Sequence, residues 1–453
     1  MKKLIGTAVL AGLLATSAFA EVNFGAFLRT LFVPVAGDGT DIKSGMVNSW
    51  GYGARVARIN IDAVSENENF GFSMGVFNDA WGGIAENGDT AVMWVKPWDF
   101  LKVSFGKWDY TTFRGDLVLP SFGWVRPANW LFDDEGLTFD KLGAKTGLQL
   151  ELAPVEGLLI MWNLPLASAK WQDAYKMFEG QDIAAKYTIG DIGTIKLGWG
   201  GKGARAVDEN GDELGDDDIA IGDDLYYDGE NVKKIEKATY TDDKYLGDIN
   251  VAFDLTAVEN LFLTVGAKVS IASSKYKNLY YENAKAFDDF DGDFTKISAD
   301  KLSAFPLLKL ALGASYQITD NIKVSASYGI QTYAKYDEEG ITGKKKPDHQ
   351  FGVGVEVGLT DALFLDADFR GLIRGGYEVD MGGLTIDIDA SDPAFSFLLG
   401  LRYEFASNGS LGIGFQGTTN GCGFLSGGGD SALGASKTDS FCWAVPIRMQ
   451  VIF

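Results

Sequence analysis

Leu308-Lys309-Leu310-Ala311-Leu312-Gly313-Ala314-Ser315-Tyr316-Gln317 alternates apolar residues with small or polar ones. After Thr319-Asp320-Asn321, the stretch Ile322-Lys323-Val324-Ser325-Ala326-Ser327-Tyr328-Gly329-Ile330-Gln331 does the same. Side chains along a strand point alternately to opposite faces, so each segment lays down one apolar face and one polar or small face. The unit occurs upstream as Val251, Phe253 and Leu255, a turn at Glu259-Asn260, then Leu261, Leu263, Val265, Ala267, Val269 and Ile271. Thr264, Gly266, Lys268 and Ser270 fill the other face of that second run. Period two sustained over about ten residues is the pattern of a transmembrane β-barrel.

A soluble β-sandwich also alternates, and two features separate the readings. The runs approach the 9–11 residues that a tilted strand needs to cross a bilayer, rather than the usual ~5–6. The connections also alternate in length. Short turns are expected near residues 65–69, 97–99, 153–157, 190–193, 256–260, 319–321, 360–361 and 406–409. Long loops are expected near 34–51, 79–89, 108–145, 165–181, 201–246, 272–304, 335–348, 374–394 and 418–439. Short turns on one rim and long loops on the other are the asymmetry of outer-membrane barrels, whose short turns are periplasmic. The pattern predicts an all-β fold, an antiparallel barrel of about 18 strands with both termini periplasmic. The count falls to 16 if the poorly alternating segments at 90–96 and 157–163 are not strands.

The ends carry their own signals. Met1-Lys2-Lys3, an apolar run from Leu4 to Ala15, and Ser17-Ala18-Phe19-Ala20 read as a secretory signal peptide over residues 1–20. Residues 21–453 then form one barrel domain, placed in the outer membrane. Removing Lys2 and Lys3 leaves 38 of the 40 basic residues against 62 acidic ones, a net charge of −24. That excludes nucleic acid as an expected partner, since phosphate binding calls for a basic face. In the last segment Phe441, Trp443, Val445, Ile447, Met449, Val451 and Phe453 are expected to face lipid. Pro446 interrupts this segment and should mark a bulge, because proline cannot donate to a ladder.

Taking polar faces as inward gives a charged lumen wall. Its cations are Arg29, Arg58, Lys102, Lys186, Lys196, Lys268, Lys309, Lys323, Arg370, Arg402 and Arg448. Its acids are Asp62, Glu151, Asp248, Asp254, Glu356, Asp366, Asp368 and Glu404, leaving a slight positive surplus. Charge at membrane depth requires water or a partner, which a hydrated interior supplies. The 108–145 loop adds Asp109, Asp116, Asp133, Asp134, Glu135 and Asp140, with Trp108, Trp124 and Trp130.

Pro120-Ser121-Phe122-Gly123 in this loop is similar to the Pro-Glu-Phe-Gly of the general porins, without its Glu, and Val103-Ser104-Phe105-Gly106-Lys107 with Tyr110 is similar to the strand leading into it. The chain thus resembles the bacterial outer-membrane porin family. The resemblance implies a loop folded into the barrel, with its carboxylates facing wall cations such as Arg29 and Arg58. Eighteen strands depart from that family's sixteen and suit sugar-specific porins better. The closing Phe453 resembles the C-terminal signal read by the barrel-assembly machinery. The implied function is a water-filled channel for passive diffusion of small hydrophilic solutes and ions, with outer-membrane lipid around it and a homotrimer left open. A sugar-type channel and a surface adhesin or structural barrel are the alternatives.

Other chemistry is thin. Dense Asp with Gly in 201–246 suggests divalent-cation binding at the cell surface, but Asp289-Phe290-Asp291-Gly292 fails the EF-hand template, with Phe287 and Ser298 at ligand positions, so a solvated loop is the expectation. No metal or other cofactor is expected. The single histidine, His349, has no adjacent Ser or Asp of the right face, so an enzyme is not expected. Cys422 and Cys442 flank the last long loop and are expected to form a disulfide in an oxidising compartment.

Overall fold

The computed structural model describes residues 20–37, 42–46, 56–76, 90–108, 113, 118–119, 142, 146–166, 177–178, 180–201, 225–227, 232–234, 245–274, 277, 304–338, 341–381, 383–390, 392–419 and 441–453. Nineteen strands form one sheet, and of these Ile42–Met46 pairs only with the first. The other eighteen make a closed antiparallel barrel: β1 Ala20–Gly37, β2 Val56–Ser65, β3 Phe70–Val76, β4 Ala91–Trp98, β5 Leu101–Lys107, β6 Thr146–Leu152, β7 Leu158–Pro165, β8 Asp182–Ile189 and β9 Gly193–Gly200. The circuit continues through β10 Tyr245–Leu255, β11 Leu261–Ala272, β12 Pro306–Thr319, β13 Ile322–Tyr333, β14 Asp348–Gly358, β15 Leu363–Ile373, β16 Ala394–Ala406, β17 Gly409–Thr418 and β18 Cys442–Ile452. Both poorly alternating segments are strands, β4 and β7, so the count is eighteen rather than sixteen. Their pattern is weak because β4 carries Pro97 and inward Trp94, and β7 places apolar Met161 inward.

Each of the eight expected turns joins consecutive strands. Ser65 ends β2, and its Oγ accepts the Asn69 and Phe70 N–H groups at 3.1 and 3.2 Å. Asn260 takes φ +64, a left-handed conformation that asparagine tolerates well. The seam forms where β18 runs along β1, from Phe27↔Ile452 to Gly37↔Trp443. Just past Ile452, the Phe453 N–H donates to Ala26 O at 2.7 Å and the Ala26 N–H to Phe453 O at 2.8 Å. The expected irregularity at Pro446 is present: register shifts between Phe32 and Val35, so Val33 and Pro34 together oppose Pro446. Neither proline has an N–H to give, and the bulge removes both from the ladder.

The barrel is apolar outside and polar inside, the inverse of a soluble core. Lys196 is 6% exposed between Ile195 at 44% and Leu197 at 53%. Buried inward positions elsewhere are Gln149, Asn163, Asn250, Ser315, Ser325, Gln350 and Gln416. The outer aromatics fall into two belts. Trp98, Phe100, Tyr187, Tyr316, Tyr403, Phe405 and Phe453 lie near the short turns; Phe369, Phe415 and Phe441 lie near the long-loop rim. Stacked rings extend the upper belt: Phe369 on Phe395 and Phe397 on Phe441, with centroids 5.7 and 6.2 Å apart. Such belts suit the two interfaces of a bilayer around an apolar band.

At the long-loop rim, two connections form a sheet of their own. Tyr336–Glu338 and Ile341–Lys345, between β13 and β14, pair with Tyr377–Met381 and Leu384–Ile388, between β15 and β16. Alternation did not predict this sheet. Strands of three to five residues carry too few repeats to show a period.

Candidate functional site

Among the described residues, buried polar groups converge in the lumen. Lys102 meets Glu151 at 2.9 Å, Lys196 meets Asp254 at 2.6 Å, and Lys268 meets Asp248 at 2.8 Å. Thr264 donates to Asp254 at 2.7 Å; Ser270 and Tyr245 donate to Asp248 at 2.7 and 2.5 Å. These contacts follow from register, which sets Lys102 opposite Glu151 and Lys268 beside the Asp248–Ser270 pair. Across the barrel on β14–β16, Arg402 is held by Glu356 at 2.7 Å, by Asp366 at 3.1 Å and by Glu404, with its guanidinium 4.5 Å from the Phe364 ring centre. Arg370 lies 3.4 Å from Asp368.

The wall is therefore divided rather than evenly positive. All the wall cations of β5–β12 are lysines, nearly balanced by Glu151, Asp182, Asp248 and Asp254, and Lys186 pairs across from Lys196 and Lys268 across from Lys309. Carboxylates dominate β14–β16. Lys323 stands opposite Glu356, and Arg448 donates to Gln450. Two acids missed by sequence reading also line the inside, both buried at strand tips: Asp182, just past the expected 165–181 loop, and Asp348, the last residue of the expected 335–348 loop. They remove most of the expected positive surplus. Asp62 lies on β2; the side chains of Arg29 and Arg58 lie outside the described residues, although their backbones pair within β1 and β2.

The described residues of the 108–145 connection lie against the inner wall. Phe113 and Leu142 are buried against Met161 of β7, Ala184 of β8 and Ala252 of β10, all inward-facing. Lys186 Nζ lies 5.8 Å from the Phe113 ring centre. Val118 and Leu119 are each 1% exposed. Val118 touches the wall at Gly313 of β12, where a Cβ would lie 2.8 Å from its Cγ2. Leu119 touches it at Gly352 of β14, where a Cβ would lie 2.5 Å from its Cδ1. The small wall residues Ala184, Ala252, Gly313 and Gly352 are thus sockets for apolar side chains of the loop. Burial of each larger anchor contributes about 1.5–3 kcal/mol, which offsets the entropy of fixing one or two residues.

These anchors had a signal that sequence reading passed over. Leu117-Val118-Leu119 is an apolar run set between Arg114-Gly115-Asp116 and Pro120-Ser121. The loop acids Asp109, Asp116, Asp133, Asp134, Glu135 and Asp140 lie outside the described residues, as do Tyr110, the segment 120–123 and Cys422. Cys442 is buried at the start of β18. His349 points to the outer face, where its Nδ1 is 2.7 Å from the Tyr328 hydroxyl. Among the described residues no three acidic, histidine or cysteine side chains are grouped to hold a metal ion.

A lumen lined with charge, and a loop seated in it, can be set beside proteins of known structure. No family model and no curated protein matches the chain. Solved structures that match along most of the chain include an outer membrane protein of Vibrio cholerae, OmpT lacking loop L8, at 14% identity and a TM-score of 0.42, covering 96% of this chain and 99% of that one. An anion-selective porin from Comamonas acidovorans is 13% identical with a TM-score of 0.44, covering 96% of this chain and 100% of that one. The outer membrane channel DcaP of Acinetobacter baumannii is 11% identical with a TM-score of 0.44, covering 96% and 98%. Likeness at this level assigns the chain neither a family nor a function.

Proposed function

We propose that this protein is an exported outer-membrane channel through which small hydrophilic solutes and ions diffuse passively. The observation that carries the reading is the pairing of an apolar outer face with a charged inner face into which a long loop is seated. A structural barrel needs no water-lined interior, and an adhesin needs no loop packed against its own inner wall. In this reading the short turns and both termini are periplasmic, and Phe453 serves the assembly machinery. The 108–145 loop narrows the passage, its carboxylates Asp133, Asp134 and Glu135 tuning ion selectivity. Assembly into a homotrimer is part of the same proposal. The protein acts without a cofactor and is not an enzyme.

Solutes pass by exchanging hydration water for wall groups that are already paired with one another. Ion pairs such as Lys196–Asp254 keep the wall polar without a large net charge, so a passing ion is neither trapped nor excluded. Selectivity is accordingly weak. The aromatic belts face outward, and the inward Trp94 and Phe364 are covered by Lys102 and Arg402, which favours a general channel over a sugar-specific one. Purified protein in a planar bilayer should give discrete, long-lived conductance steps with weak ion selectivity and no block by one sugar class. A preparation that is folded but electrically silent would leave the adhesin or structural reading in its place.

A further inference from the structure

Four side chains at the long-loop rim are organised around one ammonium. Lys345, on the Ile341–Lys345 strand of the loop sheet, places Nζ 3.0 Å from Asp348 Oδ2. The same ammonium lies 4.0 Å from the Tyr333 ring centre and 5.6 Å from that of Tyr377. Asp348 is oriented from two further sides: Tyr333 donates its hydroxyl to Oδ2 at 2.5 Å, and the Gly375 N–H donates to Oδ1 at 2.7 Å. Gln331 donates to the Tyr333 hydroxyl at 2.8 Å. Tyr377 is 2% exposed, and the Lys345 and Asp348 side chains 13% and 6%.

Two aromatic faces and a pre-oriented carboxylate are the chemistry that binds ammonium ions, and such contacts strengthen as water is excluded. Burial lowers the pKa of Lys345, and Asp348 works against that by favouring the charged form. Gln331, Tyr333 and Asp348 stand on the inner face of β13 and β14, so the loop sheet is fastened to the lumen side of the rim. A pairing that only joined two loops would not require its cation to sit over two rings inside the mouth.

We propose that Tyr333, Tyr377 and Asp348 form a binding site for small primary ammonium groups at the lumen rim, and that Lys345 is its tethered occupant. The contacts that hold the loop sheet down are then the contacts an amine solute would use. A solute that displaces Lys345 releases the Ile341–Lys345 strand from the rim. The site stands on its own geometry, and its test is a loop measurement that needs no ion current, so its failure is distinct from failure of the channel reading.

The experiment is chemical rescue in the folded, detergent-solubilised full chain, read as the rate of cleavage within 335–348 by a protease that does not cut at lysine. Lys345→Ala should speed cleavage several-fold, and methylammonium chloride should return it toward the unaltered rate while sodium chloride at equal ionic strength does not. The double variant Lys345→Ala/Asp348→Asn should show no rescue. Equal effects of the two salts, rescue that persists without the Asp348 carboxylate, or no change on removing Lys345 would each overturn the site. Should Lys345→Ala not fold, the unaltered protein decides. Methylammonium then has to speed cleavage beyond the sodium chloride control by competing with Lys345, and no difference overturns the proposal.

Discussion

Lys196 and Asp254 show what a charged wall costs and returns. Their side chains are 7% and 14% exposed and 2.6 Å apart, with Thr264 as a further donor to the carboxylate. Removing one member of a buried pair strands the other, at about 3–5 kcal/mol, far more than the pair's net contribution when intact. Lys196→Met should therefore destabilise the barrel by roughly that amount, measured as a lower denaturant midpoint in lipid or detergent. The exposed pair Lys346–Asp387, 3.4 Å apart with both side chains more than half exposed, is the control. Its loss should shift the midpoint by under about 1 kcal/mol, as for surface pairs in general. Equal shifts at both sites would mean that the inner wall is fully hydrated.

Among elements, the strands and their turns were legible because burial against lipid on one side and water on the other imposes period two. The bulge at Pro446 was legible for a simpler reason, the missing N–H. The inward loop was legible only as a length and a charge. What seats it is a few apolar residues, Phe113, Val118, Leu119 and Leu142, whose sockets depend on wall residues far away in sequence. No local pattern encodes such a match. The Lys345–Asp348 cluster was missed for the same reason, since Tyr333 ends β13 while Tyr377 lies in the connection between β15 and β16. Socket and anchor can be uncoupled: Gly352→Val places branched carbons where Leu119 now sits, at about 1–3 kcal/mol of overpacking. The loop should lift from β14, and single-channel conductance should rise while the protein stays folded. Unchanged conductance would mean that Leu119 does not hold the loop at the narrow point.

At the scale of the whole molecule, a closed hydrogen-bonded cylinder leaves no strand edge, and strands that cross a bilayer survive only on that condition. The folded form should therefore run differently from the boiled form on a detergent gel. Its circular dichroism should be dominated by β-structure. Identical mobility before and after boiling would contradict a closed barrel. The proposed export to an oxidising compartment also keeps the Cys422–Cys442 disulfide as an expectation, and labelling of both thiols without reductant would remove it.

The seam between β1 and β18 sets an order of events. Every other neighbouring pair in the circuit is joined by a turn or a loop, so each can zip as its own chain segment arrives. Ala26 and Phe453 must instead find each other from opposite ends of the chain, and closing a flexible loop of roughly 400 residues directly would cost about 5 kcal/mol of chain entropy plus a constant. Pairing the intervening strands first removes most of that cost, so the seam is the contact that closes last, joining the two raw edges of an open sheet. Unfolding retraces the route: the seam parts first, and the hairpins outlast the cylinder they once closed.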